Sequence, residues 1–135
     1  MGDEQMITLG IDIGSAASKA VILENGTTIL ARQVAPLGTG TSGPSQVYEK
    51  VFQEAGLRPQ DVSRSVVTGY GRMKFHLADE QISELSCHGK GVHVLASGIR
   101  TVIDIGGQDV KALHIDEEGR LQDFVMNDKC AAGTG

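Results

Sequence analysis

The chain has 135 residues, 40% of them hydrophobic, 21% charged and 4% aromatic, with no tryptophan and a formal net charge of −5. That length and balance suit one ordinary domain of soluble, globular type. The acidic balance and scarce aromatics argue against nucleic acid as a partner. They leave nucleotides open, because backbone N–H groups and a metal hold phosphates without a basic patch. No apolar run approaches the roughly 20 residues of a membrane span, so no membrane association is expected. The acidic start MGDEQ lacks the basic flank of a secretory signal, and the expected location is cytoplasmic. There Cys87 and Cys130 read as reduced thiols or metal ligands rather than as a disulfide.

In chain order, the first predicted element is a strand over 7–13, almost continuously apolar and so expected to be buried. It runs into Gly14, Ser15, Ala16, Ala17 and Ser18, a turn of small residues, and then Lys19. A strand over 20–23, a hairpin turn at Asn25-Gly26 and a strand over 28–35 follow. GTGTSGP at 38–44 is a loop; Ser42 or Ser45 is placed to cap a helix over 46–55, and Gly56 to stop it. The turn-like Arg58-Pro59 precedes a strand over 62–68, whose carboxyl end leads into the loop Gly69-Tyr70-Gly71-Arg72. A second helix is expected over 79–95, with Gly89 and Gly91 weakening its later turns.

From residue 101 the chain repeats itself. IDIGSAASKA at 11–20 returns as IDIGGQDVKA at 103–112, and Asp12 with Asp104, like Lys19 with Lys111, stand at a common offset of 92 residues. Strands over 101–105, 111–115 and 121–126, with a turn at Glu118-Gly119, echo the first meander. Gly38-Thr39-Gly40 recurs as Gly133-Thr134-Gly135. The expectation is one complete subdomain over 1–98 and the first meander of a duplicated second over 99–135. That meander has no helix of its own on one face, and three bare strands are marginal, so a partner surface is expected there.

An acid at the tip of a buried strand needs a partner to offset its desolvation. A hydrated Mg²⁺ beside phosphates supplies one; an Asp capping its own turn is the alternative. Gly14 lets backbone approach a phosphate closely, and the N–H groups and hydroxyls of Ser15 to Ser18 surround it. Lys19 either reaches the terminal phosphate or lies as a solvated edge residue. Two such turns facing each other grip a nucleotide from both sides. His76, His88, His93 and His114 lack metal spacing, His88 and His93 being five apart rather than four; they read as structural or surface residues. Cys87, mid-helix, reads as a core thiol. By spacing alone Cys130 is more an inert thiol than a ligand. Tyr70 and Arg72 fit a partner contact, a nucleotide sensor or a plain turn equally.

GIDIGSAASK, GTGTSGP, TGYGR, ELSCH, VIDIGGQDVK and MNDKCAAGTG, in order over essentially the whole chain, resemble the ATP-dependent activators of 2-hydroxyacyl-CoA dehydratases. Their larger family, of BadF/BadG/BcrA/BcrD type, includes the ATPase subunits of benzoyl-CoA reductase and belongs to the acetate and sugar kinase, actin and heat-shock chaperone superfamily. The resemblance implies an α/β, ribonuclease H-like ATPase fold of actin and sugar-kinase type, with two duplicated domains clamping ATP and Mg²⁺. It further implies a homodimer sharing one 4Fe-4S cluster, which takes an electron from ferredoxin or flavodoxin and, on ATP turnover, delivers it to the dehydratase. By the same resemblance Asp12, Gly14, Ser15, Ala16, Ala17, Ser18, Lys19, Gly106 and Gly107 bind nucleotide, Asp104 places Mg²⁺ or the attacking water, and Gln108 orients that water. Phosphoryl transfer needs mostly such positioning and charge stabilisation. Asp109 either shares in that site or, equally, stabilises the turn, and Lys111 is expected at the surface. Cys130 becomes one of the two cysteines each subunit gives to a cluster that wants four; the second, like the adenine motif, belongs to downstream sequence. A sugar or acyl kinase of the same superfamily, or an inactive fragment, is the alternative. With half of each site beyond Gly135, weak ATP binding and a poorly held cluster are expected of these residues alone.

Overall fold

Alternation governs the central strand. In β1, Ile7–Ile13, the side chains of Ile7, Leu9, Ile11 and Ile13 are buried, while Thr8, Gly10 and Asp12 face the other side and are half-buried. The run reads as uniformly apolar only because Thr8 and Gly10 interrupt it weakly; in space its period is two. The structure is a computed structural model that describes residues 5–106 and 109–127. It divides into two compact units, Met1–Ile82 and Ser83–Gly135.

In the first unit β1 pairs antiparallel with β2, Ser18–Glu24, which pairs with β3, Thr28–Ala35. Asn25 and Gly26, both at positive φ, make the tight hairpin between 24 and 28. On its other side β1 runs parallel to β4, Arg64–Thr68, and β4 to the two-residue β5, Glu80–Gln81, giving the order β3-β2-β1-β4-β5. Helix α1, Gly43–Ala55, packs on β2 and β3. Its Val47, Val51 and Phe52 lie on one face by the helical period and join the β1 isoleucines in the core. Each such side chain contributes about 1.5–3 kcal/mol when fully buried.

Two elements differ from expectation. α1 begins at Gly43 rather than 46, with Pro44 in its first turn, where the missing N–H costs nothing. Ser42 has helical backbone angles and makes no capping bond; the Thr41 hydroxyl accepts the Gly43 N–H instead, at 2.9 Å. The helix expected over 79–95 is split. The Asp79 carboxylate accepts the Ser65 N–H at 2.8 Å, and the Asp79 N–H returns a bond to the Ser65 hydroxyl at 2.9 Å. That exchange draws 80–81 to the sheet edge. Helix α2, Glu84–Leu95, starts only after Ser83, whose hydroxyl accepts the Ser86 N–H.

In the second unit β6, Thr101–Ile105, β7, Val110–Ile115, and β8, Leu121–Asn127, form an antiparallel meander. α2 packs against β7 and β8. Gly89 meets Ile115 so closely that a Cβ there would stand 2.8 Å from its Cγ2. Leu113 and Ile115 are buried, whereas Ile103, Ile105 and Val125 are 60%, 75% and 71% exposed. The repeat is structural: Asp12 stands opposite Lys19 in the β1–β2 register, and Asp104 opposite Lys111 in β6–β7. Among the described residues no helix is long and apolar enough to cross a membrane.

Candidate phosphate-binding turns

Between Ile13 and Ser18 the chain turns through Gly14, Ser15, Ala16 and Ala17. The Gly14 N–H donates to the Ala17 carbonyl at 2.8 Å, and the Gly14 carbonyl accepts the Thr39 N–H at 2.9 Å. The wholly buried Ser18 hydroxyl donates to the Leu37 carbonyl at 2.8 Å. Gly38 presses against this turn; a Cβ there would lie 2.3 Å from the Ser15 carbonyl oxygen. Gly14 and Ser18 therefore spend these polar groups on the shape of the turn. The N–H groups of Ser15, Ala16 and Ala17 have no acceptor among the described residues, and Ser15 and Ala16 are exposed. Successive unpaired N–H groups in a tight turn form a concavity suited to an anion.

Behind the turn lies Asp12. One carboxylate oxygen, Oδ2, is 3.5 Å from the Lys19 ammonium. The other, Oδ1, is buried with no hydrogen-bond partner, and so is Oγ1 of Thr68, the residue beside Asp12 in the parallel β1–β4 register. Gly69 closes the floor. At φ +100° it takes a conformation that suits glycine, and a Cβ there would fall 2.5 Å from Asp12 Oδ1 and 2.3 Å from the Ile13 carbonyl oxygen. Each unpaired buried polar group costs roughly 1–3 kcal/mol; Asp12 Oδ1 and Thr68 Oγ1 lie buried and unpaired at the carboxyl ends of two parallel strands, the end of such sheets where ligands bind. Oxygen donors of this kind fit Mg²⁺. Among the described residues no three His, Cys, Asp or Glu side chains could hold a metal by themselves; a cation at Asp12 would complete its shell with water and phosphate, as Mg²⁺ commonly does.

The second turn shares one backbone bond with the first and differs in side-chain pairing. The Gly106 N–H donates to the Asp109 carbonyl at 2.9 Å, as Gly14 does to Ala17. Where the first copy has Ala17 the second has Asp109, whose Oδ1 accepts from Lys111 Nζ at 2.7 Å. That hydrogen bond, first of all, raises the Lys111 ammonium above its ordinary pKa. Lys111 is thus a largely covered ion-pair member, only 15% exposed in its side chain, rather than a solvated surface residue. Asp104 is met instead by His88 of α2, Nδ1 to Oδ2 at 2.8 Å. Gly107, Gln108 and Cys130 lie outside the described residues.

Of the other residues singled out in the sequence, Tyr70 is 74% exposed, and Arg72 donates from Nη1 to the Gly69 carbonyl at 2.9 Å, closing its own loop. Cys87 is half-buried on α2. Thr68, Gly69 and His88 carry geometry that residue spacing had not marked. TGYGR and ELSCH are visible as strings, but nothing local relates residue 68 to 12 or 88 to 104; strand register and helix packing do.

The mixed sheet, with a glycine turn between its first two strands and the same meander rebuilt downstream, defines a ribonuclease H-like ATPase fold of actin and sugar-kinase type. The PPX-GPPA enzyme of Aquifex aeolicus, 16% identical with a TM-score of 0.58 over 93% of this chain and 53% of that one, shares the fold alone. The chain belongs to the BadF/BadG/BcrA/BcrD ATPase family, whose model matches residues 9–135. It is 57% identical, over 96% of its own length and 50% of the relative's, to the activator of lactoyl-CoA dehydratase of Anaerotignum propionicum. To the (R)-2-hydroxyglutaryl-CoA dehydratase activating ATPase of Acidaminococcus fermentans it is 50% identical over 95% and 49% of the two lengths. It matches the solved activator of the 2-hydroxyisocaproyl-CoA dehydratase from Clostridium difficile with bound ADPNP at a TM-score of 0.84 and 58% identity, over 95% of this chain and 48% of that one. The chain spans about half the length of the curated relatives it matches.

Proposed function

We propose that this chain provides the first phosphate-binding turn, and the opening of the second, of an ATP-dependent activator that transfers one electron to a 2-hydroxyacyl-CoA dehydratase. The observation that carries the nucleotide half is the buried, unpaired pair Asp12 Oδ1 and Thr68 Oγ1 behind a turn with unpaired N–H groups. Relatives named as activators, and one solved with ADPNP, support the same reading. In it the N–H groups of Ser15, Ala16 and Ala17 hold phosphate, and Gly14, Ser18 and Gly106 keep the turns in shape. Lys19 lies over Gly14, its Nζ 3.5 Å from where a Cβ would stand, and reaches the terminal phosphate. Asp12 would hold a hydrated Mg²⁺, which would neutralise phosphate charge. Asp104 and Gln108 orient the attacking water, and Gly107 belongs to the second phosphate-binding turn.

The electron-carrying half rests on Cys130 in the motif NDKCAAGTG. Cys130 from each of two subunits would ligate a shared 4Fe-4S cluster, reduced by ferredoxin or flavodoxin. ATP favours one arrangement of the domains over the other by its differential affinity and so couples its turnover to delivery of the electron.

The test is anaerobic purification of the natural full-length polypeptide, with iron and acid-labile sulfide analysis, ATP hydrolysis, and activation of a 2-hydroxyacyl-CoA dehydratase. Cluster content, hydrolysis and activation are expected, with hydrolysis lost in Asp12→Asn. A colourless, metal-free protein that phosphorylates a sugar would refute the proposal in favour of a kinase.

A further inference from the structure

The two copies of the turn hold their acids by different means. In the first, residue 17 is alanine and Lys19 stays within 3.5 Å of Asp12. In the second, residue 109 is aspartate and takes the hydrogen bond of Lys111 at 2.7 Å, so the cross-strand cation acts on Asp104 only through space. The gap is filled from outside the repeat, by His88. Its place is set by packing rather than by the contact itself. Ser83 caps the start of α2, Gly89 seats the helix on Ile115, and Lys90 Nζ donates to the Glu118 carbonyl at 3.0 Å.

We propose that His88 is a positioning residue for Asp104. This rests on the reading of Asp104 as the carboxylate that orients the attacking water. A carboxylate can only accept, so the proton of the contact sits on Nδ1. A planar imidazole N–H is directional, whereas an ammonium on a flexible stem is a point charge. The bond to Oδ2 fixes the rotation of the carboxylate and leaves Oδ1 as the working oxygen, the arrangement by which outer partners aim the groups that touch substrate. Loss of such a partner typically lowers activity about 10- to 100-fold.

The experiment compares wild type, His88→Leu and His88→Asn in the natural full-length polypeptide; the Asn amide N–H reaches the place of Nδ1. His88→Leu is expected to lower kcat for ATP hydrolysis roughly 10- to 100-fold while KM for ATP moves less than about threefold, the pattern of a contact that matters in the transition state. His88→Asn is expected to recover most of kcat. Independently of turnover, ¹⁵N shifts of the His88 ring are expected to show the proton on Nδ1 in wild type, with that preference lost in Asp104→Ala. Unchanged kcat in His88→Leu beside an active wild type overturns the positioning role alone. Equal loss of kcat in both variants, or a wild-type ring protonated on Nε2 only, overturns it as well. A wild type that hydrolyses no ATP overturns the functional reading and this inference with it. Should His88→Leu not fold, the wild-type tautomer still decides.

Discussion

Asp12 keeps a carboxylate oxygen buried and unpaired, a state that weakens the fold unless something binds there. In the natural full-length polypeptide Asp12→Ala is therefore expected to leave the thermal midpoint unchanged or raise it, while abolishing the upward shift expected of the wild type with Mg²⁺ and ATP by mass action. Thermal unfolding with and without Mg²⁺ and ATP checks both halves. Gly69→Ala tests the floor of the same site. A side chain at φ +100°, 2.3 Å from the Ile13 carbonyl oxygen, is expected to cost at least about 1–3 kcal/mol, read as a lower urea midpoint. Asp12 was legible from its neighbours, since an apolar run ending in Asp-x-Gly announces an acid at a buried tip. Thr68 and His88 were not, because each meets its acid only through a strand register or a helix packing.

Single elements show how short-range rules and tertiary demands combine. The apolar face of α1 was readable from its period, and Val51→Ala, at a position with no exposure, is expected to cost about 1.5–3 kcal/mol in denaturant unfolding. The helix expected to start at 79 was claimed instead by the sheet edge. Bonds from the Ser65 backbone N–H and then its hydroxyl lower the pKa of Asp79 below the ordinary carboxylate value. As pH falls the unfolded chain therefore takes up this proton first. The contribution of Asp79 is complete above the ordinary carboxylate range and is lost as pH drops through the lowered folded value. Asp79→Asn is expected to lower the urea midpoint at neutral pH, and the difference from wild type to close in acid.

Across the whole molecule the repeat makes like residues unlike. Ile13 and Ile105 occupy the same place in the two copies, yet Ile13 is 1% exposed within the first unit's core and Ile105 is 75% exposed. Ile13→Lys buries a charge without a partner and is expected to unfold the first unit. Ile105→Lys in these 135 residues is expected to shift stability by no more than about 0.5 kcal/mol and to reduce self-association, since exposed apolar faces drive it. Thermal unfolding and light scattering on the two variants make the comparison.

The amino-acid sequence by itself determined the strands of both meanders, the small-residue turn after Asp12, the stop of α1 at Gly56 and the duplication at 92 residues, because each is written in neighbouring residues. Only the tertiary structure decided that Thr68 stands beside Asp12, that Asp109 withdraws Lys111 and that His88 takes up Asp104. These partners are chosen by distance after folding, and a hydrogen bond of 2.8 Å leaves no periodicity in the chain to be read beforehand.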